Sequence, residues 1–202
     1  MKTVGIELEN LTKKFGDLII FRNVNLSITS GIYHLIGRNG AGKTTLLRMI
    51  AGLDKNYSGK ITVKGKNILY LTVDPVGIRP FTFRENLEIL WNVFKIKPTS
   101  KQIVVIEDFF DGKIDTPYGK GSTGMKAKLG LSLVFVKDWD IVLIDESMSA
   151  LDSRSVEMLV DRFVSMSENS VIIYVSHSTI NKLLFDISNE IHIDKEKIIM
   201  KN

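Results

Sequence analysis

The chain has 202 residues, 44% hydrophobic and 25% charged, enough to bury a sizeable core in one large domain or two small ones. It has no cysteine, which excludes disulfides, thiolate metal sites and cysteine nucleophiles, and no stretch approaches the ~20 apolar residues of a bilayer-crossing helix. The net charge, 27 basic against 23 acidic residues, is a mild +4 without a basic run or interleaved aromatics, so it reads as a solvated surface and nucleic acid is not an expected partner.

Met1–Glu7 lacks the apolar core of a secretory signal. Gly5–Leu8, Leu18–Phe21, Val24–Ile28 and Ile32–Ile36 read as strands between turn signals. Gly37–Gly42 breaks that pattern, and Lys43–Ala51 reads as a helix that Gly52 stops. Strands are expected at Ile61–Lys66 and Ile68–Val73, then a loop at Asp74–Pro80. A helix opens at Thr82, with Glu85 at capping-box spacing and Leu87, Leu90, Trp91 and Phe94 on one face. A short helix near Lys101–Phe110 and a longer one over Met125–Val136 follow. Then come a strand at Ile141–Ile144, a helix at Ser153–Met166, a strand at Val171–Ser176, a helix at Ser178–Phe185 and a hairpin at Ile191–Met200 turning at Asp194–Lys197. Strands alternating with helices from Ile32 onward predict an α/β fold. Its parallel sheet stands behind an antiparallel N-terminal part, with a helical insert at about 75–125.

Gly37-Arg38-Asn39-Gly40-Ala41-Gly42-Lys43-Thr44 matches the phosphate-loop pattern G-x-x-x-x-G-K-[ST], set between an apolar run and a helix as that motif requires. Glycines let the backbone curl with its N–H groups inward, and the start of the following helix adds unpaired donors. Lys43 is placed to neutralise the β- and γ-phosphates of ATP, and the Thr44 hydroxyl to ligate Mg²⁺; Thr45 extends the binding loop. Ile141–Ile144 ends in Asp145 and Glu146, at the edge where α/β sheets gather ligands. Asp145 is the candidate Mg²⁺ partner and Glu146 the candidate general base.

The order of these pieces resembles the ABC (ATP-binding cassette) transporter ATPases along nearly the whole chain. Ser149–Asp152 looks like that family's D-loop, Val175-Ser176-His177 resembles its switch histidine, and Phe15 occupies the place of the aromatic that stacks on adenine. Gly121-Ser122-Thr123-Gly124-Met125 stands where the signature belongs, keeping Ser122 and Gly124, the parts able to donate to a γ-phosphate. Met125 resembles export-type members. Val73 stands where a metal-contacting glutamine is usual, with Asp74 as its possible substitute, and Ser147 stands where proline is usual.

The resemblance implies one ABC ATPase domain over residues 1–202 with a P-loop NTPase core. It also implies binding and hydrolysis of ATP, with Mg²⁺, in a dimer with a second such subunit. A transmembrane permease subunit would receive the stroke, at the inner face of the cell membrane. Two other readings fit the same motifs: a soluble ABC-type ATPase outside transport, and a degenerate ATP-binding subunit paired with an active partner. His34 and His192 have no motif around them and read as structural.

Overall fold

A computed structural model of the chain describes residues 4–73, 76–176 and 182–201. Strands β1 (Gly5–Phe15) and β2 (Leu18–Thr29) form a hairpin, and β4 (Ser58–Lys64) pairs along the other edge of β1 in an antiparallel sheet of order β2-β1-β4. The expected strands Leu18–Phe21 and Val24–Ile28 are one continuous β2. The polar residues between them mark a bulge instead of a break. Asn10 and Asn23 both sit at φ 50, where asparagine is tolerated. Side chains complete the interrupted ladder: the Asn23 amide donates to Thr12 Oγ1 at 2.9 Å and the Asn10 amide to Asn25 Oδ1 at 2.9 Å.

The second sheet has the order β5-β6-β7-β3-β8-β9, from β3 (Gly31–Gly37), β5 (Ile68–Leu71), β6 (Ile141–Asp145), β7 (Val171–Val175), β8 (Asn189–Asp194) and β9 (Lys197–Lys201). All its pairings are parallel except β8 with β9, whose turn falls where expected, with Lys195 at φ 45 and Glu196 at φ 67. Two positive φ values in succession match the right-handed twist of the flanking strands. Along β6 and β7 the faces alternate. Val142, Ile144, Ile172 and Tyr174 join one core, while Ile141, Leu143, Val171, Ile173 and Val175 join the other.

The first of those cores also takes in the helical insert, α2 (Phe83–Val93), α3 (Ser100–Phe109) and α4 (Thr123–Leu131), together with α5 (Ser153–Met166). The second joins the sheet to the antiparallel strands and to α1 (Lys43–Ile50). The Thr82–Glu85 capping box is present as expected, and Thr99 with Gln102 forms a second at the start of α3. The expected helix Met125–Val136 is instead α4 followed by a 3₁₀ turn over Ser132–Phe135. The buried Ser132 hydroxyl donates to the Leu129 carbonyl at 2.8 Å, in competition with the helical ladder. Of the expected helix Ser178–Phe185, the described residues are 182–185, and they lie in α6, Lys182–Ile187, which runs two residues further. Among the described residues no helix is long and apolar enough to cross a membrane.

His34 of β3 lies flat on Tyr174 of β7, ring centroids 4.8 Å apart, with its Nε2 3.3 Å from the Ser176 carbonyl and its Nδ1 buried without a partner. Burial pushes the imidazole pKa down, and the Ser176 carbonyl only partly opposes this. The folded chain therefore takes up this proton less readily than the unfolded one. Its stabilising contribution is fully present above the ordinary value of about 6.5 and is lost as pH falls from there to the lowered folded value. Thermal unfolding followed from pH 7 to pH 5 should show a falling Tm, and His34→Phe should flatten that part of the curve.

Candidate functional site

Strand β3 delivers the chain to Gly37, and the loop that follows is shaped by two glycines of positive φ, Gly40 at 78 and Gly42 at 102. A Cβ at Gly42 would stand 2.5 Å from Ile20 Cγ2 and 2.8 Å from Phe21 Cζ, so β2 presses the loop into a form only glycine can take. The Ala41 amide closes a turn on the Arg38 carbonyl at 3.1 Å. Helix α1 starts at Lys43 with no side-chain cap on its first amides, the arrangement that favours an anion there. Lys43 is 8% exposed, and its ammonium donates to the Gly37 carbonyl at 2.8 Å and to that of Arg38 at 3.3 Å. Thr44 is exposed and Thr45 half-buried in the same first turn.

Strand β6 is buried throughout and ends at Asp145, 7% exposed, whose Oδ2 accepts from the Tyr70 hydroxyl at 3.4 Å. In the sheet β7 separates β6 from β3, so the acidic pair and the glycine loop leave the same carboxyl edge two strand positions apart. Glu146 then turns sharply, at φ 60, and its carbonyl accepts from the Ser149 amide at 3.2 Å and the Ser149 hydroxyl at 2.8 Å. A non-glycine residue held left-handed costs of order 1 kcal/mol or more and persists only where its surroundings impose it.

These elements converge. Phe15 and Ile20 of the hairpin, Asn39, Gly40, Gly42, Lys43, Thr44 and Thr45 of the loop and helix, and Glu146 line one open cavity of about 500 Å³. Gly37, Arg38 and Ala41 complete the loop without lining the cavity, and Asp145 lies buried beside it in sequence.

Ser122 and Gly124 are not brought to this cavity. Ser122 caps α4, its Oγ accepting from the Met125 amide at 3.2 Å, and a Cβ on Gly124 would meet the Ala150 carbonyl oxygen at 2.7 Å. The start of α4 thus rests on the Ser149–Asp152 loop. Lys128 of α4, buried, reinforces the contact by pairing with Asp152 at 3.0 Å and Asp111 at 3.1 Å. Burial tends to raise the Asp152 pKa, but the Ser155 amide and hydroxyl and the Lys128 ammonium outweigh it and hold the carboxyl well below the ordinary carboxylate value. His177 and Asp74 lie outside the described residues.

A second cavity, about 250 Å³, opens between β5, α4 and the turn after β6, and Glu146 borders both. Ser147 lines it, 6% exposed, with its hydroxyl buried and unpartnered. An unsatisfied buried hydroxyl costs about 1–3 kcal/mol. Ser147→Ala is therefore expected to leave the Tm unchanged or raise it by a few degrees in thermal denaturation.

Ile20 and Tyr70 were not anticipated. Ile20 reads as ordinary strand sequence, and Tyr70 reaches Asp145 only because β5 pairs with β6, with Tyr70 opposite Leu143. No pattern within either strand announces these contacts.

Residues 21–149 match the family model described as ABC transporter. The chain is 36% identical over 186 residues to the polysialic acid transport ATP-binding protein KpsT of Escherichia coli, covering 86% of this chain and 81% of that protein. It is 31% identical over 179 residues to the Nod factor export ATP-binding protein I of Sinorhizobium fredii, over 81% of this chain and 52% of that protein. A solved ATP-binding subunit of an ABC transporter superposes with a TM-score of 0.81 at 18% identity, over 98% of this chain and 89% of that one, a likeness of fold.

Proposed function

The chain belongs to the ABC transporter family, as one of its ATP-binding ATPases, and from that premise we propose that it powers export through a separate membrane subunit by closing around ATP as a dimer. The observation that carries this reading is the separation of two half-sites. Phe15, the phosphate loop and Glu146 line one cavity, while Ser122 and Gly124 stand outside it at the start of α4. A second subunit supplies the missing half, its Ser122 hydroxyl and Gly124 amide donating to the γ-phosphate.

In this reading the base stacks on Phe15, and the triphosphate lies against the loop amides at 39–45. Lys43 exchanges the Gly37 and Arg38 carbonyls for phosphate oxygens. The Thr44 hydroxyl and the Asp145 carboxylate are hard oxygen donors of the kind Mg²⁺ takes, and bound Mg²⁺ neutralises charge on the β- and γ-phosphates. Glu146 orients the attacking water and accepts its proton. His177 is assigned the γ-phosphate by its place in the motif order alone.

Residues 1–202 act as one ABC ATPase domain, with the insert at about 75–125 facing the membrane subunit at the inner side of the membrane. Val73, Val76, Ile78 and Phe81, all exposed, form an apolar run between β5 and α2 suited to that contact. Val73 has no group to ligate a metal. Export is supported by the Sinorhizobium relative, named for export.

Light scattering of Glu146→Gln protein tests the closure. Mg-ATP should shift its mass from monomer to dimer. A persistent monomer that binds ATP would sink the homodimer and favour a heterodimer with a different ATPase subunit.

A further inference from the structure

Lys13 is 1% exposed, an unusual place for an ammonium, whose burial costs several kcal/mol unless it is paired. It is paired: Nζ stands 2.7 Å from Asp54 Oδ2 and donates to the Asn56 carbonyl at 2.7 Å. The Lys13 ammonium in turn is the largest influence holding the Asp54 carboxyl below its ordinary value. Asp54 and Asn56 belong to the segment after α1, where the Asp54 amide donates to the Arg48 carbonyl at 3.2 Å. The pair therefore ties β1 to the helix that begins at the phosphate loop.

The same ammonium stands over the ring of Phe15, 4.5 Å from its centroid. Phe15 closes the β1–β2 hairpin opposite Leu18, is 52% exposed and lines the nucleotide cavity. A cation over one ring face attracts the negative π-cloud and fixes the ring plane. It also draws that cloud toward itself, which leaves the opposite face better suited to an electron-rich, extended π-system.

We propose that Lys13 is a positioning residue for the base: paired with Asp54 and Asn56, it holds Phe15 flat against the nucleotide cavity and biases the site toward purine over pyrimidine nucleoside triphosphates. This rests on the reading that Phe15 stacks on the base, and it adds why the ring is held and which bases it favours. Base–aromatic stacking is worth about 1–3 kcal/mol, roughly 5- to 150-fold in affinity. Losing only the orientation should cost the lower end of that range.

The test is calorimetric titration of the full chain with ATP, CTP and inorganic tripolyphosphate, which has no base. In Lys13→Met/Asp54→Asn, which removes both charges and leaves no unpaired ion, ATP affinity should fall about 5-fold. The ATP-to-CTP preference should shrink while tripolyphosphate affinity stays at the starting value. Lys13→Arg, which keeps a cation over the ring, should retain the preference. Equal losses for ATP and tripolyphosphate, or no loss for either, would overturn the proposal and leave Lys13 a purely structural ion pair. Phe15→Ala separates the two ideas: if it leaves ATP affinity intact, stacking itself fails. If it weakens ATP while the Lys13 variants do not, stacking stands and the role of Lys13 falls. Should the double variant not fold, Lys13→Gln removes the buried cation and leaves only Asp54, whose side chain is 19% exposed and open to water. This variant should lower ATP affinity by the same factor without touching tripolyphosphate, and an unchanged ATP affinity would equally overturn the proposal.

Discussion

Glu146→Gln protein is expected to bind Mg-ATP with near-unaltered affinity and to hydrolyse it at least about 100-fold more slowly, the low end of what a positioned general base contributes. Glutamine keeps the size and shape of glutamate but cannot accept the water's proton at neutral pH. The backbone gives no reason for a wider disturbance. The left-handed turn at φ 60 is held by the Ser149 amide and hydroxyl on the Glu146 carbonyl, and neither bond involves the side chain. Asp145, one residue earlier and buried, keeps its carboxylate. Phosphate release and fluorescent-nucleotide binding, measured on the same preparation, separate the two effects. Turnover equal to the parent protein's would remove Glu146 as the base. A joint loss of binding and turnover would make it a binding group instead.

Lys43→Met is expected to weaken ATP binding at least about 100-fold, near 2.7 kcal/mol. Methionine can follow the buried path of the lysine stem, so the packing of α1 on the sheet survives. What disappears is the ammonium, now on the Gly37 and Arg38 carbonyls and within reach of the cavity it lines. The loop around it is set independently, by Gly40 and Gly42 at positive φ and by the Ala41–Arg38 turn. The melting temperature should therefore move only a few degrees while affinity collapses. An affinity loss below tenfold with folding intact would mean that the amides, and not Lys43, carry most of the phosphate charge.

Much of this was readable along the chain because it depends on neighbours in sequence. The glycine loop, the strand that ends in two carboxylates and the Thr82–Glu85 box are local patterns, and each is found where its residues place it. The alternating strands and helices announced the parallel sheet, and the Lys195–Glu196 turn closed its last hairpin. Structure and sequence expectation differ where hydrogen bonds compete. Asn23 falls between two expected strands, yet Thr12 on the facing strand satisfies its amide and β2 runs on unbroken. Met125–Val136 reads as one helix, yet the Ser132 hydroxyl bonds the Leu129 carbonyl where the chain tightens into a 3₁₀ turn.

By itself, then, the sequence determined the family, the fold class and the place of the phosphate loop and acidic pair, since a few adjacent residues suffice to curl a backbone or end a strand in charge. Only the tertiary structure decided what surrounds them. It brought Phe15 and Glu146 to one cavity and left Ser122 and Gly124 outside it. It set Tyr70 against Asp145 and buried Lys13 between Asp54 and the Phe15 ring. Apart from Lys13 and Phe15, two residues apart on one face of β1, these contacts join residues that are distant along the chain, and no spacing encodes them. They follow from strand order and from the need of a buried charge for a partner, which folding must satisfy in three dimensions.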